Sequence, residues 1–223
     1  MSNRLPRADL IDPTEFQALA ANINCTISTE ASARLLAYLE AMLVENQGVN
    51  LTAVRDPEAA VIFHALDSVA MASFAFEKPP VTTLDLGTGN GFPGVAIACL
   101  YPEAHVTLMD RRIKKLLAIS RALAASGFDT KQFETVQMNA AEAPAHGYGK
   151  AFDLITTRAV GPPEEMGTLS EPLLASGGRL LTWLSDGTQA PKRMQCGLRL
   201  KAQTEYTLPA PADRTRRLAH YGA

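Results

Sequence analysis

The stretch Asp85–Gly94, DLGTGNGFPG, places four glycines and one proline in ten residues. It lies between two apolar runs, VTTL (Val81–Leu84) and VAIACL (Val95–Leu100). A β-prone run, a glycine-rich loop and a second apolar run predict a strand, a tight turn and a helix. Glycine in such a turn accepts positive φ and lets a ligand approach the backbone. Gly89, Gly91 and Gly94 form a GxGxxG, which suits a dinucleotide, but any tight strand-to-helix turn can contain one.

The alternation continues downstream. A helix is predicted from about Pro93 to Leu100, a strand over His105–Asp110, and a helix from Arg112 to Ser126 that Gly127 stops. Strands follow at Phe133–Met138 and Ala151–Thr157, then a helix over Glu164–Ala175, a turn at Gly177-Gly178 and the strand RLLTWL. The C-terminal part fits two more strands, near Leu198–Tyr206 and Thr215–Tyr221. Upstream the pattern is helical. Asp12-Pro13-Thr14-Glu15 and Asp56-Pro57 are helix-start signals, the second helix running to about Phe76. Between them, Leu35, Leu36, Leu39, Met42 and Leu43 make an apolar stripe over Thr29–Asn46. Pro79-Pro80 breaks the chain. The expectation is an α/β fold with a mostly parallel sheet covered on both faces. A helical extension, residues 1–78, is expected to pack on a domain of residues 79–223 as one compact unit.

Composition bounds the function. With 223 residues, 47% hydrophobic and 20% charged, the chain can bury a core unaided. Its three cysteines, Cys25, Cys99 and Cys196, are far apart and form no metal-ligand pattern, so no metal is expected. They read as reduced thiols of a cytoplasmic protein, buried as small hydrophobes. The opening MSNRLPRADLIDP lacks the apolar centre of a leader peptide. No run approaches the roughly 20 apolar residues that span a bilayer. A net charge of -2 does not announce a nucleic-acid binder, but the cations cluster. Arg111, Arg112, Lys114 and Lys115 form RRIKK, and Lys192, Arg193, Arg199, Lys201, Arg214, Arg216 and Arg217 make the C-terminal end basic. Each cluster alone also fits a solvated surface.

Two acids sharpen the ligand. Asp85 ends the first strand and Asp110 ends the second, about 25 residues later. A strand-two acid accepts hydrogen bonds from ribose hydroxyls, in NAD as in S-adenosylmethionine. A carboxylate at Asp85 is expected to repel a pyrophosphate on the following helix N-terminus and to suit a cationic ligand. S-adenosylmethionine carries an amino group and a sulfonium and no phosphate. The pattern therefore resembles the first two motifs of class I methyltransferases. A dinucleotide-dependent oxidoreductase is the contrasting class.

Beyond the loop, NLTAVRDP (Asn50–Pro57), HALDS (His64–Ser68) and TRAV (Thr157–Val160) accompany DLGTGNGFPG. This set resembles the bacterial 16S ribosomal RNA guanine-N7 methyltransferase family, formerly the glucose-inhibited division protein B family. The resemblance implies a Rossmann-like seven-stranded sheet with an N-terminal helical addition. It also implies methyl transfer from S-adenosylmethionine to N7 of one guanosine in the decoding-region loop of 16S rRNA. The partner would be 16S rRNA or the 30S subunit, and the chain a monomer. By position, Asp85, Gly87, Thr88, Gly89, Phe92, Asp110, Ala140, Ala141 and Arg158 would hold the cofactor, with Arg158 positioned between cofactor and target. Asn50, Thr52, Arg55, His64, Asp67, Ser68 and Arg216 would face the RNA, with Arg217 a competitor for Arg216. Family members carry Lys after the fifth strand where this chain has Ser185 and Asp186, and many carry Trp where it has Glu45. Guanine N7 already has a lone pair, so no general base is expected. For Arg158 a structural ion pair with Asp85 or Asp153 is the alternative, and His64 is expected to order the helical lid. A class I methyltransferase for a small molecule or protein is the alternative function.

Overall fold

The computed structural model describes residues 10–223. Readings of residues 1–9, the start of the helical extension and of the opening MSNRLPRADLIDP, lie outside the described residues. The helical part begins with α1 (Pro13–Asn22) and α2 (Thr29–Asn46). Asp12 caps α1 through the Thr14 amide while its own amide donates to Glu15, the reciprocal arrangement expected from the sequence. Asp56 likewise accepts from the Ala59 amide and starts α3 (Pro57–Ala60). The helix predicted from there changes character along its length. A π-helical segment (Val61–Leu66), α4 (Asp67–Val69) and a 3-10 stretch (Ala70–Phe74) follow in one run.

The α/β part runs β1 (Thr82–Leu86), α5 (Gly94–Leu100), β2 (His105–Asp110), α6 (Ile113–Ala125), β3 (Phe133–Gln137), β4 (Phe152–Arg158), α7 (Pro163–Ser170), β5 (Leu174–Leu184), β6 (Arg199–Leu208) and β7 (Arg214–Gly222). The seven strands form one sheet in the order β3-β2-β1-β4-β5-β7-β6. β1 to β5 pair in parallel, and β7 is antiparallel to both its neighbours. The short Pro209–Asp213 link joins β6 to β7, and only a hairpin can be closed by so short a connection.

Two expectations are corrected. The helix predicted over Glu164–Ala175 ends at Ser170, and a single 3-10 turn, Glu171–Leu173, leads into β5. Pro172 has no amide to continue an α-helix, so the chain extends two residues later. Gly177-Gly178 is not a turn before a strand but a bulge inside β5. The pairing jumps from Phe152↔Leu174 to Leu154↔Arg179, and Gly177 takes φ +74. A Cβ on Gly178 would lie 2.8 Å from the Phe152 carbonyl oxygen.

Apolar side chains hold the layers together. One face of the sheet meets α2, α5 and α6 through Leu35, Leu39, Met42, Ile97, Leu108 and Ile119. The other meets α7 through Leu84, Ile155, Met166, Leu180 and Tyr221. Each fully buried Leu or Ile contributes about 1.5–3 kcal/mol relative to exposure. The helical extension shares the first cluster, so α2 is bolted to the sheet layer. Because β1, β2 and β4 are parallel, their carboxyl ends open on one side, where ligands bind in such sheets. Among the described residues no helix is long and apolar enough to cross a membrane.

Candidate active site

The glycine loop is braced from beneath. The Asp85 carboxylate, 1% exposed, accepts from the Thr88 hydroxyl at 2.7 Å, the Gly94 amide at 3.0 Å and the Thr156 hydroxyl at 3.0 Å. Burial raises its pKa against the pull of these donors. Asp85 does not line the cleft above, which corrects the expectation that it faces a cationic ligand. Its side chain is committed to the start of α5. The objection to a pyrophosphate survives in another form, since the Gly94 amide such a group would use is already taken.

Above this brace, Gly87 (φ +74) and Gly89 (φ +62) turn the chain. The Gly87 and Thr88 amides both donate to the Met109 carbonyl at 2.9 Å, fixing the loop against β2. The Gly89 amide donates to Asp110 Oδ2 at 3.1 Å, and the Arg112 amide to Asp110 Oδ1 at 2.9 Å. From α2, the Tyr38 hydroxyl donates to the Asn90 carbonyl at 2.9 Å.

The loop floors a cleft of about 640 Å³, inside the range of small-molecule sites. Gly87, Thr88, Gly89 and Asp110 line it, with the apolar Met138, Ala140, Met166 and Leu169; the Met138 amide donates to the Asp110 carbonyl at 3.3 Å. Thr52, His64, Phe92, Asp67, Arg158 and Arg216 close the opposite end. Arg111, Arg112, Lys115 and Arg214 also line it, as does the acid Glu165. Lys115 Nζ also donates to the Leu51 carbonyl at 3.4 Å, and burial, then the nearby Arg112, lower its pKa.

The far end is organised by Asp67. Its carboxylate is 3% exposed, and Arg158 Nη1 lies 3.1 Å from Oδ2. Arg216 reaches both oxygens at 3.3 Å, and the Tyr206 hydroxyl donates to Oδ1 at 2.6 Å. The Asp67 carbonyl accepts from the Trp183 indole at 2.9 Å. Arg158 also donates to the Phe63 carbonyl at 3.0 Å. The ion-pair alternative for Arg158 is thus realised with Asp67, not with Asp85 or Asp153. Asp153 instead accepts from the Val81 and Thr82 amides. Two guanidinium groups on one carboxylate leave this end of the cleft positive, which suits an anionic group.

His64 lies over Phe92, ring centroids 6.0 Å apart and 21° between planes, with Nε2 3.0 Å from the Thr52 hydroxyl. Burial, then the charge of Arg158, lowers its pKa to about 3, so it is neutral at working pH. Its Nδ1 is buried without a partner. This matches a lid-ordering residue better than a proton carrier.

Several expected residues do not reach the cleft. Asn50 and Arg55 are exposed, while Thr52 between them turns in and receives the Val54 amide. Ser68 follows Asp67 on the helix and so faces another direction, buried with no hydrogen-bond partner. Ala141 is exposed beside Ala140. Arg216 faces the cleft, and Arg217, alternating to the other side of β7, approaches Glu205 at 3.9 Å. Tyr206, Trp183, Met138, Met166 and Leu169 were not legible as site residues. Only the fold brings Tyr206 and Trp183 to Asp67 and the three apolar residues to the cleft.

The donor set fits S-adenosylmethionine: glycine backbone for close approach, a strand-two carboxylate for ribose, an apolar slot for adenine and a positive end for a carboxylate. Fold and site together define a class I S-adenosylmethionine-dependent methyltransferase. A solved S-adenosylmethionine-dependent methyltransferase from Aquifex aeolicus superposes with a TM-score of 0.54 at 13% identity, over 73% of this chain and 92% of that one. Residues 31–195 match the family rRNA small subunit methyltransferase G, and the chain belongs to that family. Relatives called ribosomal RNA small subunit methyltransferase G include one from Psychrobacter cryohalolentis, 33% identical over 76% of this chain and 73% of that protein. Another, from Leptothrix cholodnii, is 33% identical over 81% of this chain and 80% of that protein.

Proposed function

We propose that this chain transfers a methyl group from S-adenosylmethionine to N7 of a guanosine in the decoding-region loop of 16S rRNA. The observation that carries this reading is the two-ended cleft of a family member: a ribose-binding acid and apolar slot at one end, an Asp67-held arginine pair at the other. S-adenosylmethionine, when bound, supplies a methyl carbon on a sulfonium. Guanine N7 attacks with its in-plane lone pair, the carbon–sulfur bond breaks, and the electron pair goes to sulfur. No proton is removed, so the chain's work is proximity and alignment. Arg158, fixed by Asp67 and the Phe63 carbonyl, would donate to guanine O6 or to a neighbouring phosphate. Asp110 would hold the ribose hydroxyls, and Ala140 would border the adenine.

The N-terminal part, residues 1–78, and the domain of residues 79–223 act as one unit in this reading, because Thr52, His64 and Asp67 come from the first and the glycine loop from the second. The protein would work as a cytoplasmic monomer on 16S rRNA or the 30S subunit. A methyltransferase for another substrate is the second reading, favoured by Asp186, whose negative charge acts on Arg216 where an RNA contact is expected. Incubation of the purified protein with radiolabelled S-adenosylmethionine and 30S subunits separates them. Label in 7-methylguanosine supports the proposal; absence of label from both 30S subunits and naked 16S rRNA overturns it.

A further inference from the structure

Two sets of basic residues stand apart. One lines the cleft; the other, Lys192, Arg193, Arg199 and Lys201, is exposed at the opposite end of β6. Leu208 lines the cleft, and the steps from Arg199 to Leu208, at about 3.3 Å each, separate the two ends by about 30 Å.

Register sets three arginines in one row across the sheet. Arg179 on β5 pairs with Gly222 on β7, Gly222 pairs with Arg199 on β6, and Arg199 pairs with Arg193 in an isolated antiparallel bridge. Directly paired residues point to the same face, so the row spans about 14 Å, three strand spacings. Gly222 puts no side chain between its neighbours. Lys201 sits at the register shift after Leu200 and fills that gap. Its Cε lies 3.3 Å from where a Cβ on Gly222 would be, and its Nζ donates to the Ala223 carbonyl at 2.6 Å.

Side-chain acids do not balance the arginines of this row. Among the described residues no Asp or Glu side chain forms an ion pair with Arg179, Arg193, Arg199 or Lys201, whose Nζ is met by the Ala223 oxygen. Arg179 rests on the Phe76 ring and donates to the Lys78 carbonyl. Glu205, the acid on β6, is turned to Arg217. Like charges set directly opposite destabilise a cross-strand pair, so the Arg193–Arg199 pair is a cost without a structural return. His220, in the adjoining register, is held below the usual histidine range by burial and then by the charges of Arg179 and Lys201. The exposed residues further along the strand, Gln203, Glu205 and Thr207, are polar, and no apolar anchor of a protein interface is present among them.

We propose that this end of the β5–β7–β6 edge is a second RNA-binding surface, taking the phosphate backbone of a substrate segment about 30 Å from the methylated base. It rests on the reading of the substrate as RNA. Guanidinium forks meet phosphate oxygens in pairs, and the Arg193, Arg199 and Lys201 side chains are exposed along the row.

The test combines Arg193→Glu, Arg199→Glu and Lys201→Glu and measures binding of two probes, full-length 16S rRNA and a hairpin containing only the target loop. S-adenosylmethionine binding by calorimetry checks that the cleft is intact. The expected result is about a tenfold or greater loss of affinity for the long RNA, an unchanged hairpin affinity, and a salt slope smaller by about 2 to 3. An unchanged affinity for the long RNA overturns the proposal, as does an equal loss for both probes. So does a loss seen with 30S subunits but not with naked rRNA, which would assign the surface to a protein partner. Failure of the wild-type protein to bind either RNA would instead count against the RNA reading itself.

Discussion

Replacing Asp67 by Ala tests how the positive end of the cleft is built. The carboxylate balances Arg158, whose side chain is 9% exposed, and Arg216, 16% exposed, and it accepts the Tyr206 hydroxyl. Removing one member of a buried ion pair costs about 3–5 kcal/mol, because the other charge stays buried unpaired. Arg216 retains some access to water, which places the expected loss near the lower end, about 3 kcal/mol. For a chain of this size that is a fall in Tm of about 6–12 °C. Tyr206→Phe removes one buried hydrogen bond to a charged group and keeps both ion pairs, so it should cost about 1.5–3 kcal/mol. Urea unfolding gives the stabilities, and methyl transfer under saturating S-adenosylmethionine gives the functional effect. Asp67→Ala should lower the rate at least tenfold in protein that is still folded, and Tyr206→Phe should lower it much less. An Asp67→Ala protein within about 0.5 kcal/mol of wild type and equally active would refute the account of this cluster.

Other expectations follow from single contacts. Asp110→Ala should weaken S-adenosylmethionine binding about tenfold or more, measured by calorimetry, because the strand-two carboxylate is lost and the Gly89 amide is left without its acceptor. Gly91→Ala should destabilise the fold by about 2 kcal/mol or more: φ is +89 and a Cβ would collide with the Tyr38 hydroxyl. His64 has a folded pKa of about 3, below its unfolded value of 6.5, so the unfolded chain binds the extra proton first. Its contribution is therefore complete above about pH 6.5 and is lost as pH falls towards 3, by about 2 kcal/mol at pH 5. His64→Gln should flatten that part of the stability profile.

The strand-and-helix order could be read from the sequence because apolar periodicity and start signals such as Asp12-Pro13 and Asp56-Pro57 act locally. Errors fell where tertiary pairing decides. Gly177-Gly178 reads as a turn, but Leu174 finds Phe152 as a partner and the strand begins earlier. Asp85 was recognisable as a key acid, yet its direction was not, because only the fold brings Thr156 and the Gly94 amide beneath it. Asp67 was picked out from a motif, whereas its partners on β4, β5, β6 and β7 are 91 to 149 residues away in sequence. Arg216 is the better motif match and Arg217 its competitor, and strand alternation turns Arg216 to the cleft. The basic C-terminal end reads as one surface, and the register of β6 and β7 divides it into two.

The central claim is tested most directly in cells lacking this protein, by mapping 7-methylguanosine in small-subunit rRNA with mass spectrometry. The account predicts that one N7-methylated guanosine in the decoding-region loop disappears and returns when the wild-type chain, but not Asp110→Ala, is restored. An unchanged methylation map would contradict it.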